Sequence, residues 1–120
     1  MSDFKIAKTK NTPAVNFCAA DCCIEFSGRS YPEDAGVFYE NILKKVNPSS
    51  LKKIHVVLDF EYVSSSSIAS ILDMLKELKS AVSVANVRVT FNHESGDEDM
   101  IAVGENYQKL TGIPVNLAVK

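Results

Sequence analysis

A chain of 120 residues, 46% hydrophobic and 23% charged with 4 Pro and 5 Gly, has the composition of an ordinary globular protein and the length for one core. Its formal net charge of −2 and the lack of any Lys/Arg-rich run argue against a protein that binds by neutralising nucleic-acid phosphates or an anionic membrane surface. No apolar run approaches the roughly 18 residues of a spanning helix, and "MSDFKIAKTK" has no signal-peptide core, so the reading is one cytoplasmic domain over residues 1–120 without membrane insertion.

In chain order, "FKIAKTK", "AVNFCA" and "CCIEFSG" are short alternating stretches separated by turn residues and read as an antiparallel meander. The period then lengthens. In "SYPEDAGVFYENILKKVNP", Val37, Phe38, Ile42, Leu43 and Val46 recur at helical spacing, with Pro32 in the first turn and Asn47-Pro48 as the stop. "KKIHVVLDFEY" returns to period two, with Ile54, Val56, Leu58 and Phe60 on one face and His55, Val57, Asp59 and Glu61 on the other. After four consecutive serines, Ile68, Ile71, Leu72, Leu75 and Leu78 form the apolar stripe of a second helix. "NVRVTFN" is the next strand. "SGDEDMIAVGENYQKLTG" is a third helix, entered through a Ser95…Glu98 capping box and stopped at Gly112, and "VNLAV" is a last strand.

Alternation of strands with helices in the second part implies parallel neighbours joined by right-handed crossovers, behind an antiparallel edge. The predicted fold is therefore α/β: a mixed sheet of about six strands with three main helices mostly on one face, because the inner strands alternate apolar with polar.

Cys18, Cys22 and Cys23 are odd in number and crowded into one segment, which fits packing or hairpin-surface thiols in a reduced compartment and not a disulfide framework. They lack the second ligand pair of a thiolate metal site.

Ser64 to Ser67 lie where the strand hands over to the helix. One serine suffices as an N-cap, worth about 1 kcal/mol against Ala. None of the four has Glu or Gln three residues on, so no capping box is built; the surplus hydroxyls fill a tight turn or serve another purpose. A phosphoryl group at a helix start meets free amides and the positive dipole end, and adds about −1.5 to −2 charges at pH 7. It would act on partner binding more than on stability, the more so if Asp59 and Glu61 stand near it.

The segments "GRSYPEDAGVFYENIL", "LDFEYVSSSSIASILDML" and "GDEDMIAVGENYQKLTGIPVNL" resemble, in wording and order, the SiaC family of bacterial regulatory phosphoproteins, over roughly residues 22 to 118. That family is similar in fold and logic to the STAS-type antagonists of anti-sigma factors. The resemblance implies a domain with no catalysis and no cofactor of its own, phosphorylated by a Ser/Thr kinase of histidine-kinase-like ATPase fold and restored by a PP2C-type phosphatase. It further implies an unphosphorylated form that binds and activates a diguanylate cyclase, linking cyclic di-GMP signalling to biofilm behaviour. Laying Tyr62 on the tyrosine of the family's Tyr-Phe-Asn-Thr-Ser-Ser run places Ser65 at the acceptor position, with Ser64 and Ser66 as alternatives. Tyr62, Ser64, Ser66 and Ser67 are the expected partner-binding residues. Val63, Ser64 and Ser65 depart from the family's Phe, Asn and Thr.

Other constellations are weaker. His93, Glu94, Asp97, Glu98 and Asp99 lack the spacing of a calcium loop and read as an acidic helix start, with no metal expected. A small serine-dependent hydrolase would pair Ser65 with His55 or His93, but the chain has no Gly-x-Ser-x-Gly elbow and no glycine-rich phosphate cradle. An interaction adaptor that is never modified is the plainer alternative. Among Tyr31, Phe38, Tyr39 and Tyr62, Phe38 and one tyrosine are assigned to the core and the others to a partner patch.

Overall fold

The computed structural model describes residues 3–120. Strands β1 (Phe4–Ile6), β2 (Ala14–Cys18) and β3 (Cys23–Ser30) form the antiparallel meander; α1 (Ala35–Val46) then leads to β4 (Ile54–Val63), α2 (Ser65–Val82), β5 (Val87–His93), α3 (Glu98–Thr111) and β6 (Val115–Val119). The six strands lie in the order β1-β2-β3-β4-β5-β6, and each pair from β3 onward is parallel. Because every crossover has the same hand and moves one strand along, all three helices cover one face.

That face holds the core. Val56 and Leu58 on β4, Phe26 on β3 and Leu75 on α2 are fully buried, and side chains of this kind each contribute about 1.5–3 kcal/mol. His55, Val57 and Asp59, which alternate with the core positions, are half-exposed on the helix-free face, as the period-two reading requires. Tyr39 is buried and Phe38 packs beside it at 5.0 Å, so the assignment of Phe38 and one tyrosine to the core holds. Val37 points outward instead.

Two helix starts differ from expectation. The N-cap of α1 is Asp34, whose carboxylate accepts the Val37 amide, so Pro32 lies before the helix and not in its first turn. The cap of α3 is Asp97, which accepts the Met100 amide at 3.2 Å, and the Ser95…Glu98 box is not formed. Both aspartates sit where their carboxylates meet the orphan amides and the dipole at closest range, an advantage that Ser95, two residues before Asp97, does not have. The stops match: Asn47 and Gly112 adopt left-handed conformations at the ends of α1 and α3. No helix among the described residues is long and apolar enough to cross a membrane.

Candidate functional site

The end of β4 and the start of α2 are held by Ser64. Its extended backbone (φ −75°, ψ 162°) ends the strand, its amide donates to the Ser30 carbonyl at 2.9 Å, and its side chain accepts the Ser67 amide at 3.1 Å. This is the capping role that one serine was expected to fill. The same hydroxyl donates to Ser67 Oγ at 3.1 Å. Ser67 Oγ lies 2.8 Å from Ser30 Oγ, which lies 2.6 Å from the Tyr39 hydroxyl. A line of four hydroxyls therefore runs from the turn into the core and ties α2 to β3 and α1.

The four serines are consequently not equivalent. Ser67, expected on the partner-binding surface with Tyr62, Ser64 and Ser66, is fully buried, and its hydroxyl is used inside the protein. Ser30, equally buried, and Tyr39 complete the line. Sequence reasoning missed this network, because Ser30 and Ser67 stand 37 positions apart and only the parallel pairing of β3 with β4 brings them together. Burial raises the Tyr39 pKa far above the ordinary tyrosine value, against the smaller opposing effect of the Ser30 and Ser67 hydrogen bonds. Tyr39 stays a neutral donor and acceptor at every physiological pH. Ser66 is exposed, 3.3 Å from Ser64 Oγ. Ser65, the first residue of α2, is exposed and stands outside this network.

Beside the turn, the exposed Tyr62 meets Tyr31 edge-to-face at 5.6 Å, and the Arg29 guanidinium lies over both rings at 5.4 and 5.6 Å. This places Tyr62 and Tyr31 in one surface patch, apart from the buried Tyr39. Behind the turn, the Tyr107 hydroxyl of α3 donates to the Ile68 carbonyl at 2.8 Å, bracing the first turn of α2 from the other side. Of the two acids preceding the turn, Glu61 is exposed, and Asp59 is paired with Lys120 at 3.1 Å.

Neither histidine serves the serines. His55 Nε2 lies 2.7 Å from Thr90 Oγ1 at the start of β4, and His93 Nδ1 donates to the Glu94 carbonyl at 2.8 Å. The Ser65–His pairing that a hydrolase needs is not formed. Among the described residues, no cluster of three or more His, Cys, Asp or Glu side chains is arranged to hold a metal.

His55 has a different consequence. Burial, and then the charge of Arg88, lowers its pKa, so the folded chain favours the neutral ring. Below the unfolded value of about 6.5 the unfolded chain binds the proton more readily, and stability falls as pH drops from there toward the lower folded value. His55→Gln, which keeps a polar partner for Thr90, is expected to flatten that part of the curve in urea titrations repeated at several pH values.

The geometry is that of a small mixed α/β domain, covered by helices on one face of its sheet, with the exposed Ser65 hydroxyl on the first turn of α2. The chain belongs to the SiaC family: the profile of the SiaC family regulatory phosphoproteins matches residues 6–120. Three solved structures share the fold. A chain in the crystal structure of diguanylate cyclase SiaD in complex with its activator SiaC, from Pseudomonas aeruginosa, aligns at 20% identity and TM-score 0.85 over 98% of this chain and 100% of its own. SiaC of Pseudomonas aeruginosa aligns at 21% identity and TM-score 0.84 over the whole of both chains. Apo-SiaC from the same organism aligns at 22% identity and TM-score 0.78 over 98% of this chain and 99% of its own. No curated protein matches the chain.

Proposed function

We propose that this protein is a cytoplasmic, phosphorylation-controlled binding domain with Ser65 as its acceptor, and that it carries no catalysis of its own. The observation that carries this reading is the division of labour in the turn: Ser64 caps, Ser67 is buried, and Ser65 keeps an exposed hydroxyl at the positive end of α2. A kinase can reach that hydroxyl without unmaking the cap. By kinship with the family, the kinase is a Ser/Thr kinase of histidine-kinase-like ATPase fold, the phosphatase is of the PP2C type, and the client of the unphosphorylated form is a diguanylate cyclase. The client docks on Tyr62, Ser64 and Ser66, with Arg29 and Tyr31 extending the patch and Ser67 supporting it from within. A dianion introduced there repels or desolvates unfavourably against a partner fitted to a neutral surface.

Mass spectrometry of the protein from its native cells, under phosphatase inhibition, is expected to find one phosphoryl group on Ser65. With a diguanylate cyclase of the same cell as ligand, Ser65→Ala should bind like wild type and Ser65→Asp about tenfold or more weakly, while both unfold within about 0.5 kcal/mol of wild type. Equal binding by all three proteins removes the switch.

A further inference from the structure

At the other end of the sheet, the β2–β3 hairpin carries the three cysteines on and around its turn. Cys18 and Cys23 are directly opposed, the last register pair before the connection, while Cys22 sits in the turn with a left-handed backbone (φ 50°) and its thiol directed to the Ala19 carbonyl at 3.5 Å. All three are free thiols, partly exposed. Cys18 and Cys23 line a hollow of about 570 Å³ on the helix-free face, together with Asp3, Lys5, Asp21 and Glu25, and the Cys18 thiol donates to Asp21 Oδ2 at 3.4 Å. Side chains directly opposed on antiparallel strands have Cβ atoms about 4.5–5.5 Å apart, and a disulfide needs about 3.5–4.5 Å. The closing movement is about 1 Å, and it falls at the mouth of a hairpin, where only the turn has to follow.

We propose that Cys18 and Cys23 form a reversible thiol–disulfide site, oxidised by a low-molecular-weight disulfide that reaches them through this hollow. The Cys18 thiolate attacks one sulfur of the small disulfide, forming a mixed disulfide and releasing one thiolate. The deprotonated Cys23 then attacks the Cys18 sulfur, forming the Cys18–Cys23 bond and expelling the second thiolate. The two cysteines lose two protons and two electrons in all, and the small disulfide becomes two thiols. Such a labile pair is distinct from the structural disulfide framework that the odd cysteine count argues against.

The electrostatics around Cys23 slow its attack near neutrality. Burial, followed by the charges of Glu25, Asp21 and Cys18, raises its pKa, and Arg88 opposes them only in part. Its thiolate fraction is low near neutrality, so bond formation is expected to accelerate as pH rises. The pair is also remote from the serine turn: β3 runs from Cys23 to Ser30, a length of roughly 20 Å or more, before reaching the hydroxyl line. Oxidation and modification of Ser65 are therefore separate inputs.

The test is incubation of the full chain with excess oxidised glutathione, followed by intact-mass measurement and non-reducing digestion before Asp21, which separates Cys18 from Cys22 and Cys23 in sequence. The expected product has lost two hydrogens, and its two peptides remain joined. Cys22→Ser should cross-link to the same extent, while Cys18→Ser and Cys23→Ser should show no intramolecular bond, with circular dichroism confirming that all three fold. Ser65→Asp should cross-link at the wild-type rate. A bond that persists in Cys23→Ser, or a glutathione adduct on Cys18 that never resolves in wild type, overturns the assignment.

Discussion

Ser67→Val is expected to lower the unfolding free energy by about 3 kcal/mol, whereas Ser65→Ala, two residues away on the same turn, changes it by less than about 0.5 kcal/mol. The contrast follows from where the hydroxyls go. Ser67 is fully buried, and its oxygen lies within hydrogen-bond distance of both Ser30 and Ser64. Valine removes that oxygen, leaves Ser30 with Tyr39 as its remaining partner in the line, and puts a second methyl-sized branch into a space packed for a hydroxyl. Ser67→Ala, which only removes the oxygen, should cost about 1–2 kcal/mol. Urea unfolding followed by far-ultraviolet circular dichroism measures all three in a protein without tryptophan. Equal losses at Ser65 and Ser67 would mean that the hydroxyl line does not hold α2 in place. Because α2 begins inside that line, Ser67→Val is also expected to weaken client binding while Ser65 remains available for modification.

This distinction among the serines marks the limit of what the sequence alone could reveal. The strands and helices were legible because their periods are clean: Ile54, Val56, Leu58 and Phe60 alternate without interruption, and the stripe from Ile68 to Leu78 has helical spacing. Sequential strands with helical crossovers then leave few topologies open, and the observed one follows. The run of serines drew attention to the turn, and kinship supplied the reason to propose Ser65 among them. The separation of Ser67 from its neighbours was not legible, since three identical residues precede it and its partners Ser30 and Tyr39 come from other elements. Nor was the pairing of Arg29 with Tyr31 and Tyr62, because it depends on the β3–β4 register, in which Arg29 faces Tyr62 just past an irregularity at Gly28. The start of α3 was misplaced for a local reason: Asp97 competes with Ser95, a residue of equal capping quality, and the turn geometry chooses between them, while Pro32 falls outside α1 because the chain caps later, at Asp34.

The brace on the far side of α2 depends on how closely α3 approaches the sheet, and Gly104 sets that distance. A Cβ at this buried glycine would overlap Leu117 Cδ2 and stand 3.3 Å from Phe91 Cγ, and Phe91 and Leu117 face each other across β5 and β6. Phe91 is buried and cannot yield, whereas Leu117, only half-buried, can swing aside. Gly104→Ala therefore trades a tolerable clash for about 1 kcal/mol of helix propensity and should be nearly neutral to mildly destabilising. Gly104→Val adds two further methyl groups against Phe91 and a branched side chain in mid-helix, and is expected to cost about 2–4 kcal/mol as α3 moves outward. One turn further along α3, Tyr107 packs on Phe91 at 6.1 Å and reaches the Ile68 carbonyl at 2.8 Å, so an outward shift withdraws that hydroxyl from the first turn of α2. The expected result is a coupled loss: unfolding at lower urea, and weaker client binding with Ser65 untouched. Tyr107→Phe separates the two effects, since it deletes only the hydroxyl, costs about 1 kcal/mol, and leaves α3 seated. If Gly104→Val reduces stability but binds the client as wild type does, the brace serves folding alone and the serine turn keeps its shape without it.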